Sequence, residues 1–452
     1  MKKRTFIKTS SILATGAMLS PLTNCESPKE QVKTSRYNWA GNYQFKAENF
    51  LDPGSNEEVQ SLVKKTSKLK ALGSRHSFNN IADNPDNQLS TYKLDKIIEL
   101  DSASQTVTVE AGVSYGKLSL YLYENGFALH NLASLPHISV AGACATATHG
   151  SGDNNGNLAT AVSALEMVTA NGEIIKLSRD KDGGRFNGVV VGLGALGIVT
   201  KVTLDVQPTF DMTQDVYLNM PMNQMADHFD EIEAKGYSVS LFTDWQNNNI
   251  NQVWLKNKVA GESQEPAATE LFGALRADRD VHPIIELSAG NCTEQMSVPG
   301  PWYNRLPHFK MDFMPSSGKE LQSEFFVPRH HAVEAILAIN KLADLLGPHL
   351  FISEIRTVAA DNLWMSTAYQ RPSAIIHFTW KQDWEAVSKL LPIIERKLAP
   401  FDVRPHWGKL FTIDPKVLQS RYDRYDDFMK LVKEFDPQGK FRNAFLDKNI
   451  YG

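Results

Sequence analysis

The chain carries a glycine-rich run that leads into a strand rather than into a helix. Residues Gly192-Leu193-Gly194-Ala195-Leu196-Gly197 match the G-x-G-x-x-G pattern of dinucleotide-binding folds. That pattern functions where a helix follows the glycines, because the N-terminus of the helix receives the pyrophosphate. Residues 198–206 are instead rich in β-branched side chains and alternate from Val202 onward, which predicts a strand. The context therefore excludes a doubly wound dinucleotide-binding fold.

The first half of the chain contains short elements that pair locally. Residues 55–67 begin with a capping box and predict a helix. Strands are predicted at 70–72 and 106–110, a helix at 114–125, and a hairpin at 165–177 that turns on Asn171-Gly172. Locally paired strands with helices between them are typical of an α+β domain.

A second α+β unit is predicted from about residue 210 to residue 413. Its helices are expected near 223–234, 329–346 and 384–398, and its strands near 238–243, 351–358, 373–380 and 403–412. The last forty residues are predicted to be helical.

A second motif, Gly112-Val113-Ser114-Tyr115-Gly116, matches the G-x-S-x-G nucleophile elbow of hydrolases. The elbow requires a buried parallel strand before it, which should be continuously apolar. Residues 106–110 alternate and end in a carboxylate, so Ser114 is better interpreted as a helix N-cap. A hydrolase remains a distant third alternative.

The N-terminus has the features of an export signal. Lys2-Lys3-Arg4 precedes a short apolar run at 12–19, which is too short to span a bilayer. Residues 22–25 resemble the lipobox of bacterial lipoproteins, although Asn24 replaces the usual small residue. We therefore predict a signal peptide at 1–25, a tether at 26–36, and an exported periplasmic or cell-envelope lipoprotein anchored at Cys25. Residues 3–8 also resemble a twin-arginine export signal in which Lys3 replaces the first arginine. The alternative to the lipoprotein is simple cleavage and release, with Cys25 incidental.

Charge and cysteine content exclude other classes of protein. The formal charge of −4 would fall to about −8 without the signal, whose four charged residues are all basic, and this disfavours nucleic-acid binding. Cys144 and Cys292 are too few for a disulfide framework, although one bridge is compatible with the sequence. No Cys/His set has the spacing of a zinc site, so no metal is predicted.

Two loops rich in glycine, hydroxyl groups and histidine stand about seventy residues apart. They are Ala71-Leu72-Gly73-Ser74-Arg75-His76-Ser77-Phe78-Asn79 and Gly142-Ala143-Cys144-Ala145-Thr146-Ala147-Thr148-His149-Gly150-Ser151-Gly152. Glycine allows close approach of backbone to a ligand, and successive N–H groups form anion-binding nests. Two such loops would suit a ligand with two phosphates.

Polar side chains also interrupt the predicted strands of the second unit. Glu354 and Arg356 share one face of their strand, His377 and Thr379 share a face of the next, and His406 and Lys409 follow on a third. Charged residues in mid-strand are costly unless they are paired or face a wet cavity. Their recurrence on three strands favours one polar pocket, which suits a small polyhydroxylated ligand.

These residues together resemble the vanillyl-alcohol-oxidase type of FAD flavoproteins and, within it, the bacterial alditol (xylitol/sorbitol) oxidases. The likeness extends from about Asn38 to Phe445. Beyond the two loops it is carried by Asn38-Trp39-Ala40-Gly41-Asn42, Ala133-Ser134-Leu135-Pro136-His137-Ile138-Ser139-Val140-Ala141-Gly142, Glu354-Ile355-Arg356-Thr357-Val358-Ala359-Ala360-Asp361 and Arg404-Pro405-His406-Trp407-Gly408-Lys409.

The resemblance implies a two-domain α+β fold, with an FAD-binding (PCMH-type) domain at 37–209, a cap domain at 210–413 and a C-terminal segment at 414–452 that completes the FAD-binding region. It implies that His76 is bonded covalently to the flavin. The FAD-contacting positions that match are Ala71, Leu72, Gly73, Ser74, Arg75, His76, Ser77, Ser134, Ser139, Gly142, Thr146, Ala147, Thr148, His149 and Val199. Arg75 stands at a position where the family pattern has glycine.

For the reaction, the resemblance implies oxidation of the terminal CH–OH of an alditol to the aldose, with hydride transfer to flavin N5 and reduction of O2 to H2O2. Arg356, Lys409 and Glu354 would be catalytic, and Ser134, Glu354, Arg356, His377, Thr379 and Lys409 would bind the polyol. The alternatives are a sugar, aldonolactone or polyol dehydrogenase that uses another electron acceptor, and a non-enzymatic polyol-binding surface lipoprotein. Oxygen access near Ala133 would separate oxidase from dehydrogenase.

Overall fold

The computed structural model describes residues 36–259, 266–311 and 319–452. The predicted signal peptide and all of the predicted tether except Arg36 lie outside these residues. Residues 37–452 form one compact unit by their internal contacts.

The first half of the described chain contains three sheets, one of which is the two-stranded pair of β6 and β10, and the helices between their strands. In chain order its elements are β1 (Asn49–Leu51), α1 (Asn56–Lys65), β2 (Lys70–Leu72), β3 (Asn87–Ser90), β4 (Ile97–Asp101), β5 (Thr106–Glu110), α2 (Tyr115–Glu124), β6 (Phe127–Ala128), α3 (Val140–Ala145), β7 (Val162–Val168), β8 (Ile174–Ser178), α4 (Arg179–Val190), β9 (Ile198–Asp205) and β10 (Gln207–Pro208). β1, β3 and β2 form a parallel sheet, and β4-β5-β9-β7-β8 form an antiparallel one.

The second half is built on one large antiparallel sheet. Its elements are β11 (Asp211–Pro221), α5 (Met222–Glu233), β12 (Ser238–Thr243), β13 (Asn249–Lys258), β14 (Glu270–Leu271), β15 (Ala274–Arg276), β16 (Gly300–Pro301), β17 (Glu320–Pro328), α6 (Ala332–Asn340), α7 (Ala343–Leu346), β18 (Leu350–Val358), β19 (Ser373–Lys381), α8 (Trp384–Leu398), β20 (Arg404–Pro405), α9 (Pro415–Ser420), α10 (Tyr425–Phe435) and α11 (Ala444–Leu446). The strands run in the order β14-β15-β11-β13-β12-β18-β19-β17-β20. The two halves therefore keep separate sheets, and the exact domain boundaries stay a prediction.

Both motif interpretations agree with the local structure. The glycines at 192–197 lead into β9, and Leu193 and Gly194 have positive φ. Ser114 caps α2, since its Oγ accepts a hydrogen bond from the N–H of Lys117 at 3.2 Å. The strand before it, β5, is antiparallel to both of its neighbours, so the nucleophile-elbow geometry is absent there.

Two predicted elements differ from the structure. The strand predicted at 403–412 is wrong: only Arg404 and Pro405 pair with β17, and the chain then turns. The N–H of Gly408 bonds back to Nδ1 of His406 at 3.0 Å, which closes this turn. The single helix predicted at 329–346 is a 3₁₀ turn followed by α6 and α7, with a break at residues 341–342.

Helix α8 shows how the second half forms its core. Val387, Leu391, Ile394 and Leu398 recur at helical spacing and are fully buried. Cys144 and Cys292 are both buried and unpaired. Within the described ranges, no helix combines the length and apolar character needed to cross a membrane.

Candidate active site

The turn after β2 contains His76, whose imidazole ring is neutral and fixed by contacts with its neighbours. The ring stacks on Trp39 with centroids 5.5 Å apart and planes at 18°, and its Nδ1 lies 3.1 Å from Oγ of Ser74. Burial, followed by the nearby His137, lowers the pKa of His76 to about 3. Its Nε2 is buried without a hydrogen-bond partner in the described part of the chain. A neutral imidazole with an unpaired nitrogen is the form that can bond to carbon.

The segment around Trp39 holds the backbone of this turn on both sides of His76. The N–H of Trp39 donates to the carbonyl of Arg75 at 2.8 Å. The Nδ2 of Asn38 donates to the carbonyl of Ser77 at 2.9 Å, and that of Asn42 to the carbonyl of Phe78 at 2.9 Å. The asparagines of the Asn-Trp-Ala-Gly-Asn motif are therefore structural clamps for the His76 turn.

A reciprocal pair of hydrogen bonds joins the first glycine-rich loop to Ser139, the N-cap of α3, and this helix overlaps the start of the second loop. The N–H of Ser74 donates to Oγ of Ser139 at 3.3 Å, and the N–H of Ser139 donates to Oγ of Ser74 at 3.0 Å. Gly73 is required at this contact, because a Cβ on it would lie 2.6 Å from Oγ of Ser139. The two glycine-rich loops, which were predicted to suit a ligand with two phosphates, therefore form one continuous wall.

One cavity connects this wall with the large sheet. Of the predicted cofactor positions, it is lined by Ala71, Leu72, Gly73, Ser74, Arg75, His76, Ser77, Ser134, Gly142, Thr146, Thr148, His149 and Val199. All six predicted substrate positions, Ser134, Glu354, Arg356, His377, Thr379 and Lys409, line the same cavity. Ser139 and Ala147 do not line it: Ser139 positions Ser74, and Ala147 is fully buried with a positive φ of 54°.

Strand register explains why distant residues meet here. Glu324 on β17 pairs with His377 on β19, which pairs with Glu354 on β18, which pairs with Phe242 on β12. Side chains that are directly opposite on neighbouring strands point to the same face of the sheet. This row crosses the sheet and forms the polar floor of the cavity.

Glu324 is a central residue of the site that was not predicted from the sequence. Its Oε1 accepts hydrogen bonds from Nη2 of Arg356 and, at 3.1 Å, from Nε2 of His149. Burial alone would raise the pKa of Glu324, but the charges of His149 and Arg356 outweigh it and hold the pKa well below the usual range. The alternation on β17 could have indicated Glu320, Gln322 and Glu324 as one polar face.

Glu354 is a second buried carboxylate on the same floor. Its Oε1 accepts a hydrogen bond from Nε2 of His308 at 2.7 Å and lies 3.5 Å from Nε of Arg356. Burial raises the pKa of Glu354, but the charge of Arg356 and the hydrogen bond from His308 more than reverse that effect, so the pKa is lowered. Glu354 and Glu324 are therefore both ionised, with Arg356 between them.

Gln322 connects Lys409 and His377 at the other side of the floor. Its Oε1 accepts hydrogen bonds from Nζ of Lys409 and, at 3.2 Å, from Nε2 of His377. Burial lowers the pKa of Lys409, and it lowers the pKa of His377 to about 3. His377 is therefore a neutral hydrogen-bonding group at neutral pH.

Lys409 and His406 reach the cavity from a turn, not from a strand. The carbonyls of Trp407 and Lys409 accept hydrogen bonds from Nδ2 of Asn79 at 2.8 and 2.7 Å, and the N–H of Phe78 donates to the carbonyl of Gly408 at 2.8 Å. These bonds tie the Lys409 turn to the His76 turn. The Lys409 cation of the predicted pocket is thus held at a fixed place relative to His76.

Comparison with known proteins identifies similar chains over nearly the whole length. A family model described as an FAD binding domain matches residues 47–178, and one described as D-arabinono-1,4-lactone oxidase matches residues 310–449. The chain is 44% identical to alditol oxidase of a Streptomyces species over 421 residues, which cover 92% of this chain and 99% of that one. It is 27% identical to L-gulono-1,4-lactone dehydrogenase of Mycobacterium tuberculosis, over 90% of this chain and 97% of the other.

Among solved structures, the chain resembles cholesterol oxidase from B. sterolicum. The TM-score is 0.71 at 15% sequence identity, and the match covers 92% of this chain and 96% of the other. At this level of identity the likeness shows the fold.

Proposed function

The chain belongs to the family of FAD-linked oxidases that includes alditol oxidase, and from this premise we propose that it oxidises the terminal CH–OH of a polyol to an aldehyde. Its fold is the α+β FAD-binding fold of the vanillyl-alcohol-oxidase type, as expected. The observation that carries the proposal is that one cavity is lined by His76 and by all six residues predicted to bind the polyol.

The residues present fit FAD. The joined loops at Gly73–Ser77 and Gly142–Thr148 offer backbone and hydroxyl groups along one wall, and β9 adds the apolar side chain of Val199. The unpaired Nε2 of His76 and its neutral ring are suited to a covalent bond with the flavin. We therefore assign these loops to FAD binding and His76 to its covalent attachment. When bound, FAD supplies the hydride acceptor and passes the electrons to O2, which gives H2O2.

The chain's own residues bind and polarise the alcohol. Arg356 and Lys409 bring two cationic groups to the floor of the cavity, where they would stabilise negative charge that develops on the oxygen of the reacting hydroxyl. Such preorganised donors are worth about 3 to 4 kcal/mol each in other enzymes. Glu354 accepts a hydrogen bond from the neighbouring hydroxyl and keeps Arg356 in place.

The remaining polar residues recognise the rest of the polyol. Ser134, His377 and Thr379 line the same cavity, and each offers a neutral hydrogen-bonding group. A site built to bond hydroxyl groups rejects analogues that lack them, because its own polar groups are then left unpaired. We expect linear polyols such as xylitol and sorbitol to be preferred over simple alcohols.

The proposal is tested by steady-state assays with a panel of substrates. Xylitol and sorbitol should be oxidised with consumption of O2 and formation of equimolar H2O2. The alternative is an aldonolactone or polyol dehydrogenase. The matched lactone oxidase family supports a lactone as substrate, and the similar protein of M. tuberculosis supports a dehydrogenase. Turnover with a dye acceptor but not with O2, or with aldonolactones but not with alditols, would establish that alternative.

Export and anchoring remain proposals about residues outside the described ranges. We propose that the protein is an exported lipoprotein held at the cell envelope through Cys25, because the basic, apolar and lipobox-like segments follow each other in the required order. Mass spectrometry of the mature N-terminus should find an acylated Cys25. An intact Met1 terminus in a cytosolic fraction would contradict the proposal.

A further inference from the structure

A buried lysine lies behind the polyol site and takes no part in the roles assigned above. Lys256, on β13, is 1% exposed. Its Nζ lies 2.6 Å from the carbonyl of Leu306, 3.1 Å from the carbonyl of Pro307 and 3.1 Å from Nδ1 of His308. An ammonium group has three protons and no acceptor, so these three neighbours use all of its hydrogen bonds.

This contact fixes the tautomer of His308. Since Lys256 only donates, Nδ1 of His308 accepts, and the ring proton of the neutral imidazole resides on Nε2. Nε2–H then donates to Oε1 of Glu354 at 2.7 Å. Lys256, His308 and Glu354 form a hydrogen-bond chain with one direction, from a buried cation to the carboxylate on the cavity floor.

The hydrogen bonds from Lys256 through His308 to Glu354 also determine which oxygen of Glu354 is available. Oε1 is occupied by His308 and faces Arg356, whereas no hydrogen bond to Oε2 is found among the described residues. Because Glu354 lines the cavity, its second oxygen is the acceptor that remains for a substrate hydroxyl.

We propose that Lys256 and His308 are positioning residues that orient Glu354 toward the hydroxyl next to the reacting carbon. This inference rests on the proposed function, since it specifies how one hydroxyl of the polyol is recognised.

The surrounding charges are consistent with this role. The negative charge of Glu354 favours the protonated form of Lys256, whereas the positive charges of Arg305 and Arg356 disfavour it. The neighbouring thiol of Cys292 is neutral, because burial raises its pKa to about 12. Burial lowers the pKa of Lys256 to about 7, and burial together with Lys256 lowers the pKa of His308 to about 4. His377 faces Glu354 from β19 and is neutral.

If Lys256 lost a proton, the tautomer of His308 would no longer be fixed. A neutral amine has two N–H groups, which the carbonyls of Leu306 and Pro307 can occupy, and its lone pair would then face Nδ1 of His308. The imidazole proton would be drawn to Nδ1, and the bond from Nε2 to Glu354 would be lost. The ammonium form is therefore the one that orients the carboxylate.

The test is a double-mutant cycle on kcat/KM for xylitol, with His308→Gln, Glu354→Gln and the double variant. A hydrogen bond to a charged group corresponds to roughly ten- to a hundredfold, so His308→Gln should lower kcat/KM by about that factor in the wild-type background. In the Glu354→Gln background it should change kcat/KM less than about threefold, because residues that act through one another are not additive.

A second readout separates positioning from general damage to the fold. The ratio of kcat/KM for xylitol to that for a 2-deoxypentitol should fall in His308→Gln, since only the substrate with the neighbouring hydroxyl loses its partner. Lys256→Met, a variant of similar length, should lower the same ratio. Lys258→Met provides the matched control, because Lys258 is exposed on the same strand and contacts the rings of Phe210 and Tyr237.

The outcomes are distinguishable from a failure of the proposed function. Wild-type protein that oxidises no polyol would overturn the proposed function and this inference with it. Active wild-type protein with additive effects in the cycle, or with an unchanged substrate ratio in both His308→Gln and Lys256→Met, would overturn the inference and leave the function in place.

Discussion

Nε2 of His149 lies 3.1 Å from Oε1 of Glu324, and this contact joins a glycine-rich loop of the first half to β17 of the second. The other ring nitrogen of His149, Nδ1, lies 2.7 Å from the carbonyl of Gly150. Both neighbours offer acceptor oxygens to the imidazole. His149 and Arg356 both bond to Oε1 of Glu324, and the carboxylate in turn fixes Arg356 above the cavity floor.

Replacing Glu324 by Gln should therefore damage both stability and activity. The change leaves Arg356 without its counter-charge in a buried place, and breaking a buried ion pair typically costs about 3 to 5 kcal/mol. Urea unfolding should show a loss of that order, and kcat/KM for polyols should fall because Arg356 is no longer held. The measurements are the free energy of unfolding and steady-state kinetics.

The matched control for this experiment is Glu385→Gln. Glu385 forms an exposed ion pair with Lys389 one helical turn away, and such pairs contribute about 0.3 to 0.5 kcal/mol. An equal effect of the two variants on stability would contradict the central role of Glu324.

Lys409→Met should lose turnover and keep its flavin. The methionine preserves most of the side-chain volume but removes the cation that faces the reacting oxygen, for which a loss of roughly a hundred- to a thousandfold in kcat is expected. The absorbance ratio of flavin to protein should match that of the wild type. Lys416→Met, on the exposed start of α9, should behave as the wild type does. Near-normal kcat/KM in Lys409→Met would refute the assignment.

His76→Ala should convert covalent flavin into flavin that acid releases. The wild-type protein should keep its yellow colour in the acid precipitate, because the bond to the imidazole survives denaturation. In the variant the colour should pass into the supernatant, while His331→Ala, at a half-exposed ring far along the chain, should leave it in the pellet. Acid-released flavin from the wild type would rule out the covalent bond.

The sequence predicts several local elements, although the long strands β11, β13 and β17 were not predicted. The capped helix after Ser55, the hairpin on Asn171-Gly172 and the period-two faces of β18 and β19 are all found in the structure. Residues whose role depends on tertiary neighbours were missed. The alternation of Glu324 with Glu320 and Gln322 on β17 was overlooked, whereas His308 has no local pattern that indicates a site; their partners are 175 and 46 residues away along the chain.

The turn at 406–409 shows the opposite error. Its aromatic and alternating residues resemble a strand, but the pairing with β17 ends at Pro405, and the N–H of Gly408 then bonds back to Nδ1 of His406. The side chains were correctly expected in the pocket, although the element that carries them was wrong. Side-chain chemistry is thus more predictable at this turn than the backbone that presents it.

Arg75 stores backbone strain next to His76. Its φ is +66°, a left-handed conformation that costs an L-residue about 1 to 2 kcal/mol relative to glycine. The side chain has a compensating contact, since its guanidinium lies 5.4 Å from the ring centroid of Phe50. We expect Arg75→Gly to be more stable than Arg75→Ala by about 1 kcal/mol, because both lose the contact and only Ala retains the strain. Equal melting temperatures for these two variants would contradict this account.

The buried histidines of the cavity should make the flavin-free protein sensitive to mild acid. Burial lowers the pKa of His308 to about 4 and the pKa values of His377 and His406 to about 3, whereas an unfolded chain protonates histidine near pH 6.5. The unfolded state therefore binds more protons below pH 6.5, and stability that is fully present above that pH is lost as pH falls toward the folded-state pKa values. Each such histidine contributes a slope of up to about 1.4 kcal/mol per pH unit.

The measurement is the free energy of unfolding in urea at pH 7.5, 6.5, 5.5 and 4.5. The decline should begin near pH 6.5, above the range in which unfolded carboxylates titrate, so the histidines can be distinguished from Glu324 and Glu354. His406→Gln removes one of these titrating groups and should make the decline less steep. A constant free energy of unfolding between pH 7.5 and 5.5 would show that the cavity histidines accept protons in the folded state, and their assignment as neutral groups would be wrong.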